Sequence, residues 1–174
     1  MKIIEIRRHS IRVAGGDHLN QQGIALARRV GQEMGPFHYV ATSALTRALE
    51  TAVAMGFPVN EQTPLLNTYG GDVEREAPWP LPFHLYAEIV RQDGAAARFA
   101  WSLADYYQMI LERIPDGGSA LVVNHGGVLE LGVVACLSDI DFSPWGESAG
   151  YCEGARLVWE GGRFTRGEVL RVSN

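Results

Sequence analysis

The chain has 174 residues, 47% of them apolar and a fifth charged, which suits one domain with a full core. Its net charge of −5 excludes the broad basic footprint of a nucleic-acid-binding protein, while leaving room for a local Arg cluster that attracts an anion. No apolar run approaches a membrane span, Met1-Lys2-Ile3-Ile4-Glu5-Ile6 is too charged for a signal peptide, and two scattered cysteines, Cys136 and Cys152, point to a reducing cytosol rather than a disulfide framework.

Residues 2–8, rich in Ile, predict a buried strand. A polar, Gly-containing loop runs from Ser10 to His18. Leu19 to Met34 predicts a helix with Asn20 as N-cap, stopped by Gly35-Pro36. Tyr39 to Thr42 predicts a short strand, and Leu45 to Met55 a second helix ended by Gly56. Residues 57–82, with several Pro and acids, read as a long irregular loop of functional character, a lid or a specificity wall. His84 to Gln92 and Arg98 to Arg113 read as helices joined through Asp93-Gly94. Ser119 to Val123 is a buried strand, Gly127 to Leu137 an apolar helix containing Cys136, and Gly150 to Val158 with Arg163 to Val172 a closing hairpin. Strands alternating with helices predict an α/β fold of three layers, α/β/α, with a mostly parallel sheet, as a single domain over residues 1–174.

Ligands of such sheets bind beyond the carboxyl ends of the strands. That rule brings His9, Ser43 and His125 to one rim, each beside a loop that leads into a helix N-terminus favourable to anions. His9 is the candidate nucleophile, because a neutral imidazole attacks phosphorus and a covalent intermediate divides one hard displacement into two. Arg8 and Arg47 are suited to hold phosphoryl oxygens bidentately, and His125 to stabilise charge on them. Gly126 and Gly127 permit close backbone approach, and Ser10, Arg12, His18 and Gly126 are candidate substrate contacts. Alternation along the strand turns Arg7 away from Arg8, as a surface ion pair. His38 and His84 have no ligand spacing, and no metal site is expected. The aromatics Trp79, Phe83, Tyr86, Trp101, Tyr106 and Tyr107 read as core or pocket wall. For Glu130 two readings stay open: it orients an Arg, or it faces water.

Arg8-His9, Leu19-Asn20-Gln21-Gln22-Gly23, Ser43-Ala44-Leu45-Thr46-Arg47-Ala48-Leu49-Glu50-Thr51-Ala52 and Asn124-His125-Gly126-Gly127 together resemble the motif series of the histidine phosphatase (phosphoglycerate mutase-like) superfamily. The resemblance runs from about residue 3 to residue 158, and its most specific piece is the Ser43–Ala52 segment. It implies a phosphoglycerate mutase-like fold and a cytoplasmic phosphatase with a phosphohistidine intermediate on His9. Arg8, Arg47 and His125 would complete the pocket, with no metal and no organic cofactor. The partner would be a phosphorylated small molecule or a phosphohistidine protein, with neither nucleic acid nor membrane involved.

The chain departs from that series at three places. Ser10 stands where the family has Gly, Asn20 where it has Thr or Ser, and Asn67 or Thr68 where it has an acid. The nearest candidate general acids are Asp72 and Glu74, then Glu76. A general acid contributes about 10²–10⁴-fold by protonating the leaving group. Its absence favours labile phosphoryl groups, and the chain then resembles the small protein-phosphohistidine phosphatases of the superfamily. The alternatives are a phosphoglycerate-type mutase and a non-catalytic phosphate-binding module of the same fold.

Overall fold

In the computed structural model, which describes residues 1–173, one sheet carries six strands in the order β3-β2-β4-β1-β5-β6. Strands β1 (Lys2–Arg8), β2 (Tyr39–Ser43), β3 (Glu61–Thr63) and β4 (Ser119–Asn124) are parallel. β5 (Gly154–Glu160) lies antiparallel to β1, and β6 (Arg163–Leu170) returns along β5 as a hairpin. The six helices are α1 (Gln21–Gly31), α2 (Thr46–Ala54), α3 (Gly71–Glu76), α4 (Phe83–Val90), α5 (Ala95–Arg113) and α6 (Val128–Cys136).

Side chains of a strand alternate between faces, and each face here has its own helical layer. Ile4, Ile6, Ala120 and Val122 are fully buried in the main core with Phe83, Leu103, Tyr107, Ile110 and Leu129, which α4, α5 and α6 supply. Val40, Leu121 and Val123 face the other way, against Ala48 and Ala52 of α2. α1 covers α2 so closely that a Cβ on Gly31 would lie 2.1 Å from the Met55 carbonyl oxygen. The architecture is the expected three-layer α/β/α with a mostly parallel sheet. No helix of the described residues is long and apolar enough to cross a membrane.

Several expectations change. α1 begins at Gln21, where Asn20 Oδ1 accepts from Gly23 N at 2.7 Å, and ends at Gly31 rather than Met34. The segment 57–82 is not structureless. Glu61–Thr63 pairs with β2 as an edge strand, Pro64–Leu66 makes a 3₁₀ turn and Gly71–Glu76 forms α3. Both regular pieces are short and polar, so they carry no apolar period to read. α5 starts at Ala95, because Glu76 accepts from Ala95 N and Ala96 N and so caps the helix from a distant segment. Arg7 does turn away from Arg8, yet it is only 6% exposed. Its Nη2 donates to Glu5 Oε2 at 2.9 Å and its Nη1 to the Cys152 carbonyl at 3.1 Å, while Arg156 holds the other Glu5 oxygen at 2.7 Å. The strand face opposite the main core thus carries a buried ionic cluster instead of a surface pair.

Candidate active site

Register alone assembles the site. Arg8 pairs with Asn124 across β1 and β4, Thr42 pairs with Val123 across β2 and β4, and His9 N donates to the Asn124 carbonyl at 2.9 Å. Three neighbouring parallel strands therefore end side by side in Arg8-His9, Asn124-His125 and Ser43. Their apolar runs set the register, and the residues just past each run are delivered to one rim.

The rings of His9 and His125 lie 5.2 Å apart between centroids, tilted by 53°. His9 Nδ1 sits 2.7 Å from the Ser10 carbonyl oxygen, which can only accept, so that nitrogen carries the proton and Nε2 carries the lone pair. Arg47, in the first turn of α2, donates from Nε to His9 Nε2 at 3.3 Å. His125 Nε2 lies 2.7 Å from Ser43 Oγ. Two buried polar atoms of this cluster, Arg8 Nε and His125 Nδ1, have no hydrogen-bond partner in the protein. Buried polar groups are almost always satisfied, so these two orphaned atoms are an exception to the rule at this rim.

Electrostatics keep both imidazoles neutral at physiological pH. Burial foremost, then the positive charges of Arg8 and Arg47, bring His9 down from the ordinary 6.5 to about 4, against the pull of the Ser10 carbonyl. Burial, then His9 and Arg47, bring His125 down to about 2. A neutral His9 with a free Nε2 lone pair is a nucleophile.

Arg8 is held differently from Arg47. Its guanidinium is sandwiched between Trp79, at 4.5 Å, and Tyr151, at 4.3 Å, and Nη1 donates to the Ala149 carbonyl at 3.2 Å. Trp79 lies over the Gly126 backbone, where a Cβ would come within 2.3 Å of the indole nitrogen. Gly127 has φ +83°, and a Cβ there would meet the Tyr69 hydroxyl at 2.1 Å. Glu130 is fully buried below this loop. Its carboxylate accepts from Gly127 N at 2.6 Å and Ala149 N at 2.8 Å. Its burial excludes the reading in which it faces water, and it ties the loop after His125 to the segment whose Ala149 carbonyl accepts from Arg8.

Of the other candidates, Ser10 is turned away from the cluster. Its Oγ donates to the Gly23 carbonyl at 2.7 Å, and its N–H donates to Thr51 Oγ1 at 2.9 Å. Arg12 is exposed and donates to the Gly16 carbonyl at 3.0 Å inside its own loop. His18 is exposed and sits 2.7 Å from Glu50 Oε1. Asp72 and Glu74 are exposed on α3, with Asp72 paired to Arg75. Among the described residues no hydrogen bond or ion pair joins either acid to Arg8, His9, Arg47 or His125. Asn67 stands beside the rim, its Oδ1 accepting from Ala44 N at 2.9 Å. No group of three or more His, Cys, Asp and Glu among the described residues is placed to hold a metal ion.

Sequence reading missed Asp17, Ser43 as the partner of His125, and Tyr151. Asp17 pairs with Arg47 Nη1 through one oxygen and accepts from Thr46 N at 2.7 Å through the other. The strand-end rule and the Ser43-to-Ala52 spacing brought Ser43 to the rim without naming its partner, and nothing local marks Asp17 or Tyr151.

No protein-family model and no curated protein matches the sequence. Solved structures do match in fold. A phosphoserine phosphatase from Entamoeba histolytica, solved with 3-phosphoglyceric acid, superposes with a TM-score of 0.68 at 16% identity, covering 99% of this chain and 98% of its own. A mycobacterial glucosyl-3-phosphoglycerate phosphatase solved with VO3 gives 0.69 at 19% identity, covering 99% and 100%. YhfR from Bacillus stearothermophilus gives 0.62 at 22% identity, covering 95% of each chain.

Proposed function

We propose that this chain, which has the phosphoglycerate mutase-like fold of the histidine phosphatase superfamily, is a phosphoric monoester hydrolase working through a phosphohistidine on His9. The observation that carries this reading is the state of His9. Its Nδ1 lies 2.7 Å from the Ser10 carbonyl oxygen, burial favours the neutral ring, and Nε2 faces Arg47 beside His125.

In the first step a bond forms between His9 Nε2 and phosphorus while the bond from phosphorus to the leaving atom breaks. Arg8, Arg47 and His125 hold the phosphoryl oxygens, so that stabilisation is by position and charge. In the second step water attacks phosphorus, Nε2 leaves with its electron pair, and inorganic phosphate departs.

The leaving group must take a proton, and here the chain is sparing. Asn67 or Thr68 stands at the sequence position where the resembled family has an acid, and the Asn67 amide oxygen is already engaged at Ala44 N. This favours substrates that part easily, such as a protein phosphohistidine or an activated phosphorylated small molecule. It weighs against a mutase, which has to protonate and deprotonate substrate hydroxyls. The free thiols of Cys136 and Cys152 fit a cytoplasmic setting.

The test uses a chromogenic aryl phosphate, whose leaving group needs no acid, together with a phosphohistidine peptide. The wild-type protein is expected to hydrolyse both and to yield an acid-labile phosphoryl adduct on His9 by mass spectrometry. His9→Ala is expected to lose turnover and adduct while keeping phosphate affinity. Undiminished hydrolysis by His9→Ala would reject the nucleophile.

A further inference from the structure

Asp17 is the carboxylate that contacts the proposed phosphate-holding side chains among the described residues. Arg47 is shared between two partners: Nε points inward to His9 Nε2, and Nη1 points outward to Asp17. The second Asp17 oxygen takes the N–H of Thr46, the first residue of α2. That helix needs an outside acceptor, since its N-cap residue, Leu45, offers no side-chain bond. A guanidinium and a helix N-terminal N–H are the donors a phosphoryl group uses. Asp17 occupies both.

The carboxylate is also placed to leave. The Asp17 side chain is 38% exposed, whereas that of Arg47 is only 11% exposed, so Asp17 stands on the solvent side of the guanidinium. It rides on a loop held at its base by the Arg12–Leu19 bridge and the bond from Val13 N to the His18 carbonyl. At the tip, Gly15 adopts φ +69° and nothing lies within 4 Å of an added Cβ.

We propose that Asp17 is an internal competitor for the phosphate site: its carboxylate rests on Arg47 and the α2 N-terminus and is displaced by the incoming phosphoryl group. The site thereby discriminates by charge. A phosphomonoester dianion outcompetes one carboxylate for these donors, and a singly charged phosphodiester does not. Partial burial of Asp17 opposes its ionisation, and the Arg47 and Thr46 bonds outweigh that burial, so the competitor is a full anion at neutral pH.

The inference rests on the phosphatase reading only for the identity of the anion, and its test measures binding rather than turnover. Inorganic phosphate is titrated calorimetrically into the wild-type protein and into Asp17→Asn. The amide variant keeps an oxygen acceptor for Thr46 N and removes the charge. Asp17→Asn is expected to bind phosphate about tenfold more tightly or better, the effect of removing a like charge from beside the ligand. It is also expected to narrow the preference for a phosphomonoester over a phosphodiester. A merely structural role for Asp17 would weaken binding or leave it unchanged, and either result overturns the proposal. A measurement that needs no variant follows the Thr46 amide of the wild-type protein by NMR during the same titration. Its resonance is expected to move with the phosphate saturation curve, and a stationary Thr46 signal at saturation would also overturn the proposal. Failure of the wild-type protein to hydrolyse either the aryl phosphate or the phosphohistidine peptide would remove the phosphatase reading and leave these two binding results standing.

Discussion

His9 and His125 are the residues whose chemistry depends most on their surroundings. Both hold protons less readily in the folded protein than in the unfolded chain, where 6.5 is the ordinary value. Between that value and about 4 the unfolded chain therefore binds more protons, and stability must fall as pH falls. The stabilisation is complete above pH 6.5 and erodes at roughly 1.4 kcal/mol per pH unit for each group below it. Chemical denaturation at pH 7 and at pH 5 is expected to show a clear loss, and His125→Gln is expected to remove about half of that slope. Equal stability at the two pH values would show that burial does not hold these rings neutral. Their placement at one rim was legible in the sequence because each lies just past the end of a strand-like run. The partners that tune them were not. Asp17 meets Arg47 from 30 residues away and Ser43 meets His125 from 82 residues away, distances at which local pattern carries no information.

At the scale of elements, α6 does more than fill the core. Its first turn carries Glu130, which joins the loop after His125 to Ala149 and, through the Ala149 carbonyl, to Arg8. Glu130→Ala leaves the N–H groups of Gly127 and Ala149 without their acceptor, a cost of about 1–3 kcal/mol each. The expected outcome is a lower melting temperature together with weaker phosphate binding, because Arg8 loses its fixed position. Glu130→Gln, which keeps one acceptor oxygen, is expected to fall between the two proteins. A Glu130→Ala protein with wild-type melting and binding would mean that the clamp does nothing. The sequence placed α6 to within a residue at each end, since a buried apolar helix between Gly127 and Ser138 has clear borders. It misplaced the start of α5 because the capping carboxylate, Glu76, lies 19 residues before Ala95. It also read α3 and β3 as loop, because a six-residue polar helix and a three-residue edge strand owe their form to neighbours rather than to composition.

Across the whole molecule the two helical layers rest on a sheet that is apolar on one face and partly ionic on the other. Glu5 binds Arg7 and Arg156 at once and so ties β1 to β5 and to the Cys152 turn. Glu5→Ala strands a buried guanidinium and is expected to cost about 3–5 kcal/mol in equilibrium unfolding, with Glu5→Gln costing less. A loss below 1 kcal/mol for Glu5→Ala would mean that Arg7 is relieved by water. The strand order has a further consequence for how this protein comes into being. β4 is wedged between β1 and β2, so those two early strands have no ladder to each other and wait for a segment that begins at Ser119. On a translating ribosome the first hundred residues emerge with both strand edges open and with His9 lacking its partner imidazole. Products that end before Ser119 are expected to lack the His9–His125 juxtaposition and to associate through their open strand edges, and the site comes together only when the late strand inserts.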